Sequence, residues 1–336
     1  MRLGADPVPL SRVLGIAFGA GIVALSWLFA GRVAARSLLL RFAASLLVAL
    51  TPPLFTEAAM GLETSMFALL VLVGCLVAIY EFAGGARWPW HALIFSLATL
   101  TRPEGALAYA LALGGLALTD LARLSRCLRF MARSAAVFGI PFGSYFLWRY
   151  TYYGYLFPNT FYAKTGGGWE QVELGFRYVV SFFGELWWIP VPLLCVALWS
   201  GYRRREIVVL ASVFAGYVAY VVAIGGDFKG TYRLFVPTVA PMWLLVVAGC
   251  MAWRDLLARH GSRAFGWVTA VAFAGCASLA LSLPLRFERS REWAGMLRAA
   301  NADPVRRQAA DWLRENTPPG EYLAQASAGF VPYCRV

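Results

Sequence analysis

The side chains best suited to chemistry in this chain are polar groups that interrupt long apolar runs. Only two of its 30 basic residues are lysines, Lys164 and Lys229, and both lie in such interruptions. Lys164 follows Asn159 and Tyr162, and Lys229 precedes Arg233. An ammonium and a forked guanidinium beside amide and hydroxyl donors suit the binding of a phosphate. Because the rest of the chain is so apolar, the pattern predicts the phosphate of a lipid.

Four stretches hold the candidate groups, each between two apolar runs: EAAMGLETSM at 57–66, TRPEG at 101–105, YYGYLFPNTFYAK at 152–164 and GGDFKGTYRLFVP at 225–237. Besides the residues above, they carry five charged candidates: Glu57, Glu63, Arg102, Glu104 and Asp227. Charged groups at membrane depth are costly, so we expect them to pair with one another or to line a cavity.

The same residues also have structural interpretations. Glu63 or Thr64 would cap the helix that follows and suit its macrodipole. Arg102 and Glu104 would form an ion pair that closes a hairpin. The aromatic residues of 152–164 fit either a belt at the level of the lipid headgroups or a platform for a sugar and an isoprenoid.

The composition predicts an all-α polytopic membrane protein. Of the 336 residues, 60% are hydrophobic and 14% are charged, which exceeds what a soluble core can hide. Apolar runs near the length of a membrane-spanning helix predict about ten transmembrane helices: 13–30, 38–54, 65–81, 88–100, 106–119, 134–149, 178–199, 206–224, 233–253 and 264–283.

Basic loops alternate with the four stretches along the chain. Every second loop is rich in arginine and poor in acids, beginning with Arg32 and Arg36, and such loops face the cytoplasm. These loops account for the net charge of +12, so no nucleic-acid partner is predicted. The alternation places both termini outside, yet MRLGADPVPLSRV runs directly into the first span. We therefore expect an upstream span and outer loop that this sequence lacks.

The runs 88–100 and 106–119 are short for spans. We expect them to form a hairpin rather than one Pro-broken helix, because a single helix would place its flanking basic loops on opposite sides. Arg102 and Glu104 would then lie below the outer surface.

The composition changes near residue 284, which predicts two domains, 1–283 in the membrane and 284–336 outside it. Residues 306–316 are expected to form an amphipathic helix with Ala309, Trp312 and Leu313 inward. A strand is predicted at 321–326. We interpret the tail as the start of a small outer-face α/β domain that is cut off.

Cysteine and histidine spacing indicates neither a disulfide framework nor a divalent metal site, and no cofactor is predicted. His91 and His260 are predicted to be interfacial residues. The six cysteines show no ligand spacing: Cys75, Cys127, Cys195, Cys250, Cys276 and Cys334.

Five stretches, taken in order, resemble the bacterial multispan C-superfamily glycosyltransferases over nearly the whole chain: GLETSMFALL, LTRPEG, YYGYLFPNTFYAK, GGDFKGTYRLFVP and WLRENTPPGEYLA. The group they resemble most is the mycobacterial terminal arabinofuranosyltransferases, which use decaprenyl-phosphate arabinose. The resemblance implies a multi-pass protein of the bacterial cytoplasmic membrane. It implies inverting transfer of a sugar, arabinofuranose by kinship, from a polyprenyl-phosphate donor to a cell-envelope acceptor at the outer face.

The resemblance also assigns roles by position. Lys164 and Arg233, then Lys229, are expected to contact the donor phosphate, and Asn159, Tyr162 and Asp227 the sugar hydroxyls. Glu57, Glu63, Arg102 and Glu104 are expected to shape the cavity floor. In such enzymes a carboxylate in the first outer loop is the general base, within an Asp-Asp-Ala-Tyr-like motif that this sequence lacks. We therefore assign no catalytic residue and expect this chain to be an inactive fragment.

Two other functions remain open on sequence grounds. A transporter or lipid flippase would also hold charges at membrane depth, but only one broken hairpin is evident, at 101–105. A non-catalytic relative that acts in membrane assembly or regulation would explain the missing acidic motif.

Overall fold

The computed structural model describes residues 7–33, 37–85, 88–156, 167–186, 188–201, 203–227, 231–259 and 303–316, with the single residues 275 and 282. The chain divides into two compact units, Met1–Pro284 and Leu285–Val336. Every regular element in the described residues is a helix.

The described part of the first unit holds eleven α-helices: α1 (Pro7–Val33), α2 (Leu38–Ala49), α3 (Pro52–Met60), α4 (Thr64–Phe82), α5 (Trp90–Thr101), α6 (Glu104–Leu118), α7 (Leu124–Tyr153), α8 (Gly168–Glu185), α9 (Pro190–Gly201), α10 (Arg205–Ala223) and α11 (Val236–Arg259). Short 3-10 turns at Leu121–Arg123 and Arg233–Phe235 precede α7 and α11.

Four helices in the described residues are long and apolar enough to cross a membrane: Pro9–Val33, Thr64–Phe82, Arg205–Ala223 and Arg233–Leu256. Up to seven spans result if three bent helix pairs each count as one. This agrees with the prediction of a helical membrane protein, whereas the predicted count of about ten is not confirmed. The predicted span 264–283 lies almost wholly outside the described residues.

Two predicted spans are broken by proline. The run 38–54 is divided into α2 and α3 with a bend of 55°, and the run 178–199 into α8 and α9 with a bend of 96°. Pro52 and Pro190 begin the second helix of each pair, where the missing N–H group costs no hydrogen bond.

The buried side chain of Trp243 on α11 fills the first of these breaks. Its Nε1 donates to Oγ1 of Thr51 over 2.8 Å, and the Thr51 hydroxyl in turn donates to the carbonyl of Leu47 over 2.6 Å. Every residue of α11 from Val236 to Gly249 is buried, as expected of an apolar helix segment, whereas its last turns are partly exposed. α11 packs against α1, α2, α3, α4, α9 and α10.

The predicted basic loops meet at one end of the first unit, which we call the Arg126 end. The Arg204 guanidinium donates to the carbonyls of Arg32 and Val33 over 2.7 and 3.1 Å. Arg126 donates to the carbonyl of Phe82 over 2.7 Å, and Arg205 lies over the Phe82 ring. The first, second and fourth candidate stretches meet at the opposite end, which we call the Glu104 end. Which end faces outward stays a prediction from charge.

The second unit is described only at α12 (Asp303–Asn316), where the sequence predicts its amphipathic helix. Ala309 and Trp312, predicted to face inward, are exposed, and Leu313 is half-buried. The predicted strand at 321–326 lies outside the described residues.

Candidate functional site at the Glu104 end

The turn between α5 and α6 positions Arg102 and Glu104. Pro103 disfavours a helical conformation in the residue before it, and Arg102 is accordingly extended, with φ −146° and ψ 132°. α5 therefore ends at Thr101, and α6 begins at Glu104, whose carboxylate suits the helix N-terminus. The two helices pack against each other, as the hairpin interpretation predicts.

Arg102 lies between two carboxylates. Its Nη2 atom is 3.2 Å from Oε1 of Glu104, and its Nη1 atom is 3.6 Å from Oε1 of Glu63. The Arg102 and Glu104 side chains are 14% and 11% exposed, whereas that of Glu63 is 50% exposed. The ring of Phe67 lies 5.7 Å from the guanidinium carbon. The first two stretches thus meet directly, and Arg102–Glu104 is the dominant ion pair.

Burial and the neighbouring carboxylates shift the pKa of Arg102 in opposite directions. Burial disfavours the charged guanidinium, but the negative charges of Glu104 and Glu63 outweigh it and raise the pKa of Arg102 above its ordinary value. Arg102 therefore stays charged, and the cluster keeps a fixed positive centre.

One carboxylate oxygen of Glu104 can still accept a hydrogen bond. The Tyr220 hydroxyl donates to its Oε1 over 3.2 Å. Its Oε2 is buried and has no hydrogen-bond partner among the described residues. A buried acceptor without a donor is uncommon in folded proteins and suits a ligand hydroxyl.

Asp227 and Arg233 of the fourth stretch bind each other. The Arg233 Nε donates to Oδ2 of Asp227, and its Nη2 lies 3.3 Å from Oδ1. The Asp227 side chain is fully buried and that of Arg233 is 19% exposed. Arg233, predicted to contact a donor phosphate, therefore carries a charge already matched by Asp227, and its two-point geometry is typical of a fork-to-fork pair.

Glu57 is buried and joins three segments. Its Oε2 accepts from the Thr64 hydroxyl over 3.2 Å, and its Oε1 from the Thr231 hydroxyl over 3.1 Å. Thr64 begins α4, and Thr231 belongs to the fourth stretch. Glu57 thus links the first stretch to the fourth and lies beneath the surface of the site.

The described part of the site is net acidic, since four carboxylates accompany two guanidiniums. A phosphate gains little from such a surface, so its binding would depend on further cations. The two lysines predicted for this role, together with Asn159 and Tyr162, lie outside the described residues. The third stretch is described only as far as residue 156, and its Tyr152, Tyr153 and Tyr155 are exposed.

The structure decides the capping alternative for α4. Glu63 occupies the N-cap position but makes no side-chain capping hydrogen bond. Its carboxylate faces Arg102, and the Thr64 hydroxyl is directed to Glu57. Both predicted caps therefore serve contacts within the site.

Sequence reasoning missed Tyr220 and Thr231. Tyr220 lies in an apolar run near the end of α10, and nothing local marks it as a partner of Glu104. Thr231 lies within the quoted fourth stretch, where a hydroxyl beside charged residues was a usable signal.

Among the described residues, no group of three or more histidine, cysteine or acidic side chains is arranged to hold a metal ion. No protein-family model, curated protein or solved structure matches the chain.

Proposed function

We propose that the Glu104 end binds a polyprenyl-phosphate-linked sugar, and that the protein is a membrane glycosyltransferase which passes this sugar to a cell-envelope acceptor. The observation that carries the proposal is the cluster of Arg102, Glu104, Glu63 and Tyr220 around a buried, unpartnered carboxylate oxygen. Separate stretches of the chain supply these groups, as expected of a binding site rather than of a local turn.

In this proposal the acidic groups bind the sugar and the lysines bind the phosphate. The free Oε2 of Glu104 accepts from a sugar hydroxyl, and Arg102 fixes that carboxylate in place. Lys164 and Lys229 stabilise the negative charge that develops on the leaving lipid phosphate, so no covalent enzyme intermediate is required. By the stated resemblance the transferred sugar is arabinofuranose, transfer inverts the anomeric centre, and the site faces the outside of a bacterial cytoplasmic membrane.

The division of roles is tested by binding two ligands in nanodiscs, a polyprenyl-phosphate sugar and the same polyprenyl phosphate without its sugar. Glu104→Gln should lower the affinity for the sugar-bearing ligand roughly 10- to 100-fold, because a hydrogen bond to a charged group contributes about 1.5–3 kcal/mol. Affinity for the bare polyprenyl phosphate should not change. Equal effects on both ligands, or none on either, would contradict the role of Glu104.

The phosphate role is tested with Lys164→Ala. This variant should lose affinity for both ligands, whereas Lys164→Arg should retain much of it, since the charge remains. Arg123→Gln, at the Arg126 end, is the matched control and should behave as wild type. Unchanged binding by Lys164→Ala removes this residue from the site. Failure of the wild type to bind the sugar-bearing ligand would contradict the proposed function.

One observation favours a second candidate, a transporter or lipid flippase. Bent pairs of apolar helices occur at α2–α3, α6–α7 and α8–α9, so the segment at 101–105 is not the only break among the described residues. The first break is filled by Trp243 rather than by a charged group. Translocation of a fluorescent polyprenyl phosphate across liposomes without an acceptor would support this candidate, and its absence together with transfer activity would support the enzyme.

A further inference from the structure

A second cluster of charge lies at the Arg126 end, away from the proposed sugar site. A cavity of about 290 Å³ opens there between the end of α4, the start of α5 and the first turns of α7. Its lining includes Arg126, Arg129 and Arg133, together with Trp88 and Phe130. Positions separated by three and four residues share one face of a helix, so α7 directs three guanidiniums to the same cavity.

Arg126 is held in place from two sides. Its Nη2 donates to the carbonyl of Phe82 over 2.7 Å, and its Nη1 lies 3.7 Å from Oδ2 of Asp120. Its side chain remains 35% exposed, and Arg129 and Arg133 are exposed. Arg126 is therefore fixed at the cavity wall, and all three guanidiniums keep some exposure to water.

Glu81 lines the cavity, and each of its carboxylate oxygens already has a hydrogen-bond partner. Its Oε1 accepts from the backbone N–H of Trp90 over 2.8 Å, and its Oε2 is bonded to Nδ1 of His91. The carboxylate thus caps the start of α5, where a negative charge is favourable. The three guanidiniums outnumber this one carboxylate, so the cavity lining is net basic.

A buried hydrogen-bonded chain extends from Glu81 into the interior of the first unit. His91, predicted to be interfacial, is fully buried, and its Nε2 lies 2.6 Å from Oγ of Ser134. The Tyr109 hydroxyl lies 2.6 Å from the same Oγ. His91 thus bridges Glu81 on α4 and Ser134 on α7 through its two ring nitrogens. The chain joins α4, α5, α6 and α7, and Phe130 stacks on the His91 ring at 5.0 Å.

The surroundings of the cavity match the boundary between lipid tails and headgroups. Trp88 and Trp90 are 51% and 55% exposed, and tryptophan is enriched at this level of a membrane. On α7, Leu124 and Leu128 are both 56% exposed. Exposed leucines beside arginines on one helix fit acyl chains below and an anionic headgroup above.

We propose that this cavity is a binding site for the headgroup phosphate of an anionic phospholipid, held by Arg126, Arg129 and Arg133 with Trp88 at the rim. Basic pockets between helices on the cytoplasmic side are suited to such headgroups, and charge alternation predicts that this end faces the cytoplasm. The proposal does not depend on the proposed glycosyltransferase function, since the cavity and the sugar site lie at opposite ends of the first unit.

The alternative is that these arginines act only in setting membrane orientation. Orientation requires positive charge anywhere in the loop, whereas a headgroup site requires charge at the cavity. Arg123 precedes α7 in the same basic segment and is not part of the cavity lining. It therefore provides a matched control of identical charge change.

The test places the full-length protein in nanodiscs of phosphatidylcholine with a minor fraction of phosphatidylglycerol. The protein is then released from the nanodiscs, and native mass spectrometry identifies the lipids that stay bound to it. Wild type should retain phosphatidylglycerol in preference to phosphatidylcholine. The double variant R129Q/R133Q leaves the Arg126 contacts intact and should lower this retention about tenfold, which corresponds to about 1.4 kcal/mol. R123Q should retain as much as wild type, and circular dichroism should show that all three proteins are folded in pure phosphatidylcholine.

Three outcomes would overturn the proposal: equal retention by R129Q/R133Q and wild type, an equal loss in R123Q, or no preference for the anionic lipid. A parallel measurement adds inorganic phosphate to protein in neutral detergent. Protection against thermal unfolding equal to that given by phosphatidylglycerol would identify the site as one for soluble phosphate and would reject the lipid. Restored retention in R129K/R133K would confirm that charge at these two positions is what binds.

Discussion

The guanidinium of Arg102 lies 3.2 Å from the carboxylate of Glu104, two residues further along the chain, across the turn that joins α5 to α6. The same guanidinium reaches Glu63 at the start of α4, and Glu104 accepts from Tyr220 on α10. One local ion pair thus connects distant segments. Loss of either charge should change both the stability of this end and its ability to bind a polar ligand.

Glu104→Gln should destabilise the protein by roughly 1–3 kcal/mol, because a buried guanidinium loses its nearest charged partner. Gln keeps the size and the acceptor for Tyr220, so packing should be preserved. Glu63→Gln is the matched control. Because the Glu63 side chain is half exposed and its Oε1 lies 3.6 Å from Nη1 of Arg102, this variant should lose at most about 1 kcal/mol of stability. Thermal unfolding in detergent, followed by circular dichroism, measures both, and a larger loss for Glu63→Gln would contradict this ranking.

Gly105→Ala should open the turn that holds Arg102. A Cβ at this position would lie 2.5 Å from the Thr99 nitrogen and 2.7 Å from the Ala98 carbonyl carbon, and both belong to the backbone of α5. Overpacking of this kind costs about 1–3 kcal/mol.

Gly114→Ala on the same helix is the control for Gly105→Ala. A Cβ there meets nothing within 4 Å, so the better helix propensity of alanine should leave stability unchanged or raised by up to about 1 kcal/mol. Equal melting temperatures for the two variants would show that the close approach of α5 and α6 does not constrain the turn.

Asp227→Asn should be more damaging than the loss of an exposed ion pair. The Asp227 side chain is fully buried, and without its charge Arg233 is left buried and poorly matched, at a cost of roughly 3–5 kcal/mol. The Glu173–Arg177 pair on α8 is as close, at 2.6 Å, but both side chains are more than half exposed. Glu173→Gln should therefore cost less than about 0.5 kcal/mol. Similar shifts in melting temperature for Asp227→Asn and Glu173→Gln would mean that Asp227 is more exposed in the protein than its contacts indicate.

The sequence predicted most helix positions because apolar length is a local signal. It did not predict the breaks at Pro52 and Pro190, since averaging hydropathy over a span conceals a proline inside it. Charge alternation correctly grouped Arg32, Arg126 and Arg204 at one end of the first unit, because each pair of successive passes returns the chain to that end.

The partners within the site were less accessible from sequence. The contact between Glu104 and Tyr220 joins residues 116 positions apart, and one sequence contains no signal for such a pairing. His91 was predicted to be interfacial because its helix begins there, but its partner Ser134 lies 43 positions away on α7. Long-range pairing of polar groups is set by how helices pack, and packing is determined by the whole core.

Ser134→Ala should show that the His91 chain is one unit. The substitution leaves the His91 Nε2 and the Tyr109 hydroxyl without their common partner, and each buried unsatisfied group costs about 1–3 kcal/mol. Tyr109→Phe removes one hydroxyl and leaves the Ser134 bond to His91 intact, so it should cost less. The double variant should cost less than the sum of the two, because it removes a polar group that Ser134→Ala leaves unpaired.

Ser144→Ala is the control. Ser144 is exposed on the same helix and donates to the carbonyl of Ile140 in its own turn, so its loss should be close to neutral. A double-mutant cycle by thermal unfolding measures the coupling, and strict additivity would show that Ser134 and Tyr109 do not interact in the folded protein.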